Sequence, residues 1–316
     1  METLTAIPRR KRFEKREPQT SLILTEADLI VLWALHIHRG PLPSPYLRGF
    51  RSWYCKDRTG NTKRLAALYD NGYLSRPKWQ AFNNDDKVYD ASMFIIYDLT
   101  DKGIRTLKAA GMWSAYSPFP PDAGKHQMLT ACITASIHLM AHRNGMRFIP
   151  QYEVLERAQT KLRFPITYVD PFTDNPVTKT LIPDAFFRLQ YPDGGYRSYF
   201  VEADRDTEGN ATTDHNRKGF LRSLLMYRQL FSERQHHEVL KISGSAQVLN
   251  VNTSLTRMRN LIDLTADQSH QGRNTAQLFQ MIEGIAPIFR PPTVAEHLFT
   301  GGWKCAGAED FYIDKV

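Results

Sequence analysis

The chain is poor in cysteine, with three in 316 residues. Cys55, Cys132 and Cys305 are odd in number and far apart. They form neither a disulfide framework nor a zinc-binding spacing, so a reducing, cytoplasmic setting is expected. Long apolar runs are missing too. The longest candidate, Leu29 to Ile37, already contains His36 and leads into His38 and Arg39. A spanning helix needs about 20 apolar residues, so no membrane partner is expected. The opening Met1-Glu2-Thr3-Leu4 turns basic without the apolar segment of a secretory signal. No glycine-rich phosphate loop is present, which argues against ATP use. Gly244-Ser245 lacks a nucleophile-elbow pattern. No tyrosine lies beside a histidine triad of the kind a covalently attacking relaxase would need.

Apolar residues, by contrast, are sufficient. The hydrophobic fraction is 42% and the aromatic fraction 11%, enough to fill real cores and exclude global disorder. The length suggests two domains. Charge is unevenly spread between them. Residues 1–110 carry 19 Lys+Arg against 12 Asp+Glu, and residues 111–316 carry 22 against 21. Nearly all of the net +8 therefore sits in the first third, and a polyanion is its simplest partner.

Residues 1–20 form a basic arm with Arg9, Arg10, Lys11 and Arg12, suited to phosphate contact. Residues 21–113 follow as a small α+β unit. Thr25-Glu26-Ala27-Asp28 opens a helix as a capping box with Asp in the Glu position. Gly40-Pro41 stops it, and Tyr46-Leu47-Arg48 starts a short second helix. A third helix over residues 61–69 carries Lys63 and Arg64 near its start and ends at Asn71-Gly72. A strand with Arg76 follows, then a polar loop, a return strand ending at Leu99, and a helix opened by Thr100. Residues 114–124 are a Pro-rich linker, where the domain boundary is placed.

Residues 125–316 make the second unit. A long amphipathic helix over 125–143 comes first. Glu153 and Glu156 follow one turn apart, and either could add an acidic ligand. Residues 165–179 read as an irregular loop. Asp193-Gly194-Gly195 is a hairpin turn between strands. On one strand stands Ile182-Pro183-Asp184, and on the other Phe200-Val201-Glu202-Ala203-Asp204. Glu202 and Asp204 share a strand face. Three carboxylates brought together repel unless a cation or proton intervenes, and hard Mg²⁺ or Mn²⁺ suits their oxygens.

Three helices followed by strand, loop and strand resemble a winged helix, a fold whose third helix enters the major groove of double-stranded DNA. The resemblance implies Lys63, Arg64 and Arg76 as DNA contacts. Pro183-Asp184 with Glu202-Ala203-Asp204 resembles the PD-(D/E)xK nuclease superfamily, with Asp204 where that pattern has lysine. The fold class expected is thus an α+β winged-helix domain followed by an α/β restriction-endonuclease-like domain. Asp184, Glu202 and Asp204 would be metal ligands and catalytic groups. Lys218 on the next helix is the first choice to replace the lost lysine, ahead of Arg205 and Arg222.

Over residues 22–265 the chain resembles the replication-relaxation family of plasmids and mobile elements. Glu202, Asp204, Arg205 and Thr207 match its Glu-x-Asp-Arg-x-Thr phrase, and residues 248–253 followed by Arg257 are also similar. The resemblance implies DNA association in replication, relaxation or mobilisation, with a relaxase or replication protein as a further partner. Two readings follow. One is a Mg-dependent endodeoxyribonuclease or nickase. The other is a non-catalytic DNA-binding accessory or transcriptional regulator with a degenerate nuclease-like core.

Overall fold

The computed structural model describes residues 13–17, 22–56, 58–81, 94–118, 124–170, 173–204, 213–283 and 292–315. Helix α1 (Glu26–His38) starts where the sequence places a cap. The Asp28 carboxylate accepts from both the Thr25 backbone N–H and its hydroxyl, each at 2.8 Å. Arg39 ends the helix in the left-handed region, φ 56°. Strand β1 (Leu42–Pro43), α2 (Ser44–Arg51), α3 (Arg58–Asp70), β2 (Leu74–Ser75), β3 (Ile96–Leu99) and α4 (Asp101–Ala109) follow in order. The three strands form one antiparallel sheet in the order β1-β3-β2. Gly72, φ 78°, supplies the left-handed residue after α3.

The Thr100 hydroxyl caps α4 by accepting from the Gly103 N–H at 3.1 Å. Glycine is required at 103 for space. A Cβ there would stand 2.6 Å from the Tyr73 carbonyl oxygen. Gly103→Ala is therefore expected to lower stability by about 1–3 kcal/mol in urea unfolding, because backbone must give way. An unchanged midpoint would show that α4 can shift freely.

Helix α5 (Lys125–Arg143) departs from the amphipathic expectation. Every residue from Met128 to Ala141 is buried. The helix is covered on one side by α1 and α2 and on another by β7 and β8 of the large sheet, and burial all round needs no polar stripe. After it come β4 (Arg147–Pro150), α6 (Gln151–Ala158), β5 (Phe164–Val169), β6 (Pro176–Leu181), β7 (Ala185–Gln190) and β8 (Tyr196–Asp204). Then follow α7 (Thr213–Ser232), α8 (Gln235–Leu240), β9 (Ser245–Asn252), α9 (Leu255–Asp267), β10 (Asn274–Met281), α10 (His297–Thr300), β11 (Trp303–Ala306) and β12 (Ala308–Phe311). The large sheet runs β12-β11-β10-β9-β8-β7-β4. Strands β4, β7 and β8 are antiparallel neighbours, while β8, β9 and β10 run parallel.

The expected irregular loop over 165–179 is instead mostly a hairpin. Strands β5 and β6 pair from Phe164↔Leu181 to Val169↔Pro176. Phe164, Ile166 and Tyr168 face a core while their neighbours are exposed. Pro165 and Pro176 mask this alternation, and a two-stranded ribbon tolerates them because it is all edge.

The core does not stop at the expected linker. One apolar cluster includes Val31, Leu35 and Leu47 of the first unit, Ile133 and Ile137 of α5, and Tyr199 and Val201 of β8. Ser114 and Ser117 are buried and tied to α1. The Ser114 N–H donates to His36 Nε2 at 3.0 Å, and the Ser117 hydroxyl donates to the His36 carbonyl at 2.8 Å. Burial pushes His36 down to about 4, so it is neutral and can accept. His38 points elsewhere, to Thr134 Oγ1 at 2.8 Å and His138 Nδ1 at 3.2 Å on α5. Among the described residues, no helix is long and apolar enough to cross a membrane.

Candidate functional site

Pro183-Asp184 leads into β7, whose Ala185 pairs with Val201 of β8. That register sets Asp184 beside Glu202 and Ala203. Asp184 Oδ2 accepts from the Ala203 N–H at 2.8 Å. Its Oδ1 lies 3.0 Å from His126 Nε2, which α5 brings in from its first turn. Arg39, at the end of α1, is close enough for its charge to be supported by Asp184 against the burial that lowers its pKa.

Glu202 Oε1 accepts from the Tyr227 hydroxyl of α7 at 2.6 Å. Although the residue keeps some exposed area, protein surrounds the carboxyl. Burial first, and the neighbouring Asp184 charge second, push it up to about 8. Tyr227 is held well above its ordinary value by burial and by the Glu202 charge. A proton on Glu202, or a cation beside it, relieves this cost.

Asp204 follows two positions later, on the same face of β8. It is turned to Arg257 of α9, with Nε to Oδ2 at 2.7 Å. The structure thus brings Asp184 and Glu202 together and gives Asp204 a different partner. Among the described residues, no group of three or more His, Cys, Asp or Glu side chains is placed to hold a metal ion. Asp184 and Glu202 are the residues whose donor chemistry fits one: adjoining hard oxygens whose repulsion a divalent cation relieves. Lys218 belongs to α7, but its side chain lies outside the described residues, as does all of Arg205 and Thr207. Glu153 is engaged by Arg147 at 2.9 Å.

The expected DNA contacts have different settings. Lys63 is exposed on α3. Arg64 instead donates to Asp28 Oδ2 at 2.6 Å and to the Ile23 carbonyl at 2.6 Å. Arg76 is buried, with its guanidinium 4.0 Å from the Tyr69 ring centre and 5.2 Å from that of Tyr97. Cation–π stacking of this kind orders a structural arginine. Arg9, Arg10, Lys11 and Arg12 lie outside the described residues.

Four contributors escape a reading of local pattern. His126 is one residue into a helix that otherwise reads as packing. Arg39 reads as a helix end, and Tyr227 as helix core. Arg257 stands out in the sequence only through the family resemblance, facing either DNA phosphate or water, and its bond to Asp204 is not legible there. A family model described as replication-relaxation matches residues 51–266, which include Asp184, Glu202, Asp204 and Arg257. No curated protein and no solved structure matches the chain.

Proposed function

The chain belongs to the replication-relaxation family, and from that premise we propose that it binds double-stranded DNA during replication, relaxation or mobilisation of a bacterial plasmid or mobile element. We propose further that it is a Mg²⁺- or Mn²⁺-dependent nuclease or nickase. The element order α1-β1-α2-α3-β2-β3-α4 supports a winged helix that docks on the duplex, with Lys63 exposed on its third helix. The run of α5, three antiparallel strands, α7 and a parallel strand supports a restriction-endonuclease-like core around the carboxylates.

One observation carries the catalytic reading: Asp184 is bonded to the residue next to Glu202, so two carboxylates share one strand-end site. Asp184 and Glu202 would hold the metal. When bound, it supplies positive charge to a phosphodiester under attack. His126 and the Ala203 N–H orient Asp184, while Tyr227 fixes Glu202.

Supercoiled plasmid incubated with the protein and Mg²⁺ or Mn²⁺ is expected to yield nicked or linear product. Asp184→Ala and Glu202→Ala should each abolish it. No product from the wild type, or undiminished product from Glu202→Ala, would remove the nuclease assignment. Lys63→Ala should weaken duplex binding and reduce the salt slope by about 1, as expected for one lost phosphate contact.

The second reading, a DNA-binding accessory or regulator on a degenerate core, is favoured by a specific feature. Asp204 occupies the lysine position and is neutralised by Arg257. Under it, duplex binding survives Asp184→Ala, and a relaxase or replication protein performs the chemistry.

A further inference from the structure

We propose that Arg257, aimed by Asp204, is a phosphate-binding residue of this site and receives a DNA phosphodiester beside the Asp184–Glu202 pair. This rests on the DNA-binding reading above and adds the group that contacts the backbone. It also gives a role to the acid standing at the lysine position: Asp204 imports a cation from α9.

The geometry is that of a positioned guanidinium. Arg257 gives its Nε to Asp204 Oδ2 at 2.7 Å, and both side chains are only partly exposed, 21% and 30%. Its terminal nitrogens Nη1 and Nη2 make no hydrogen bond among the described residues. An arginine anchored through Nε presents these two donors as a fork, the shape that matches phosphate oxygens. Arg257 also lies in the first turn of α9, a helix of 13 residues capped by Ser254. The positive end of that helix favours an anion at the same place.

A second observation points independently to a ligand. Asn252 is fully buried, and neither its Nδ2 nor its Oδ1 has a hydrogen-bond partner. Buried amides are almost always satisfied, and an exception calls for a reason. Asn252 is the register partner of Asp204 on the adjacent parallel strand, about 4.8 Å away. Register partners in a parallel ladder share a face. Helix α9 covers that face, since its Met258 and Leu261 pack on Phe279, the register partner of Asn250. The idle amide is thus placed beside Asp204 on the face that α9 covers, next to the Arg257 fork and the α9 N-terminus. The ends of parallel strands are also where open sheets of this kind bind ligands.

The test is fluorescence anisotropy of the full chain on a duplex oligonucleotide, titrated across salt concentrations without divalent metal. Arg257→Gln is expected to weaken binding about tenfold at moderate salt and to reduce the slope of log K against log salt by about 0.9. Arg257→Lys should restore the slope but not the full affinity. Asp204→Asn should lower affinity with the slope retained, because the cation stays but loses its aim. Asn252→Ala should weaken binding several-fold without lowering the thermal midpoint, since no internal bond is removed. A purely structural pair would lower the midpoint in Arg257→Gln and leave the salt slope unchanged, which would overturn the proposal while DNA binding stands. A wild type with no salt-dependent duplex binding would instead defeat the functional reading and this one with it.

Discussion

Asp28→Ala is expected to cost about 3–5 kcal/mol of stability and to lower the thermal midpoint by on the order of 10 °C. The carboxylate is completely buried and holds three elements at once. It closes the cap of α1 through Thr25. It accepts three hydrogen bonds from Arg64 of α3, at 2.6, 3.0 and 3.1 Å. It also neutralises Arg51 of α2, 3.6 Å away, which in turn donates to Asn61 of α3. Burial by itself would raise the Asp28 pKa. The bonds from Arg64 and Thr25 outweigh it and hold the carboxyl below its ordinary value. Its contribution is therefore complete above the ordinary carboxylate pKa of about 3.9 and fades as pH falls through the lower folded value. Thr25→Ala, which removes only a cap contact, should cost about 1 kcal/mol. Urea unfolding of the two variants at pH 7 and pH 3 checks both statements. A loss below about 1 kcal/mol in Asp28→Ala would mean that Arg51 and Arg64 reach water when unpaired. Any DNA contact by Arg64 has to compete with this same carboxylate.

Local signals carried much of the fold. Thr25 and Asp28 lie three residues apart, so their cap is written in consecutive positions. The turn at Asp193-Gly194 fixes the β7–β8 pairing, with Gly194 at φ 86°, and hence the meeting of Asp184 with Glu202. What failed to show depended on distant chain. The burial of α5 on all sides reflects neighbours from both halves, not its own periodicity. Strand β10 went without a sequence signal: its Gln277 is buried because its amide oxygen accepts from Asn250 Nδ2, 27 residues earlier, at 2.8 Å. The site shows the same division. Two carboxylates on a hairpin are legible. His126 reaches Asp184 across 58 residues, and Arg257 reaches Asp204 across 53, separations that no spacing rule covers. Arg64 and Arg76 illustrate the converse: a basic residue on or just after α3 can be engaged within the protein, here by Asp28 and by the Tyr69 ring.

Glu202→Gln is expected to make the protein more stable than the wild type at pH 9, by roughly 2–5 kcal/mol, and to flatten its stability between pH 5 and 9. Folding lifts the Glu202 pKa from an ordinary 4.5 to about 8, through burial and the adjacent Asp184 charge. Between those values the folded state binds a proton that the unfolded state has released. Wild-type stability is therefore greatest at the acid end of this window and falls as pH rises through the folded value. Glutamine keeps an oxygen to accept from Tyr227, as Glu202 Oε1 does now at 2.6 Å, but has no charge to form. Urea unfolding across this pH range measures the effect. A wild type as flat as the variant would show that Glu202 ionises in the folded protein without penalty. The same experiment repeated with Mg²⁺ or Mn²⁺ bears on the proposed chemistry. A cation shared by the two carboxylates replaces the proton and removes their repulsion, so it should stabilise the wild type most above pH 8. Glu202→Gln should respond far less. Under that proposal, nicking at limiting metal should rise with pH, because Glu202 must give up its proton before it can hold the cation.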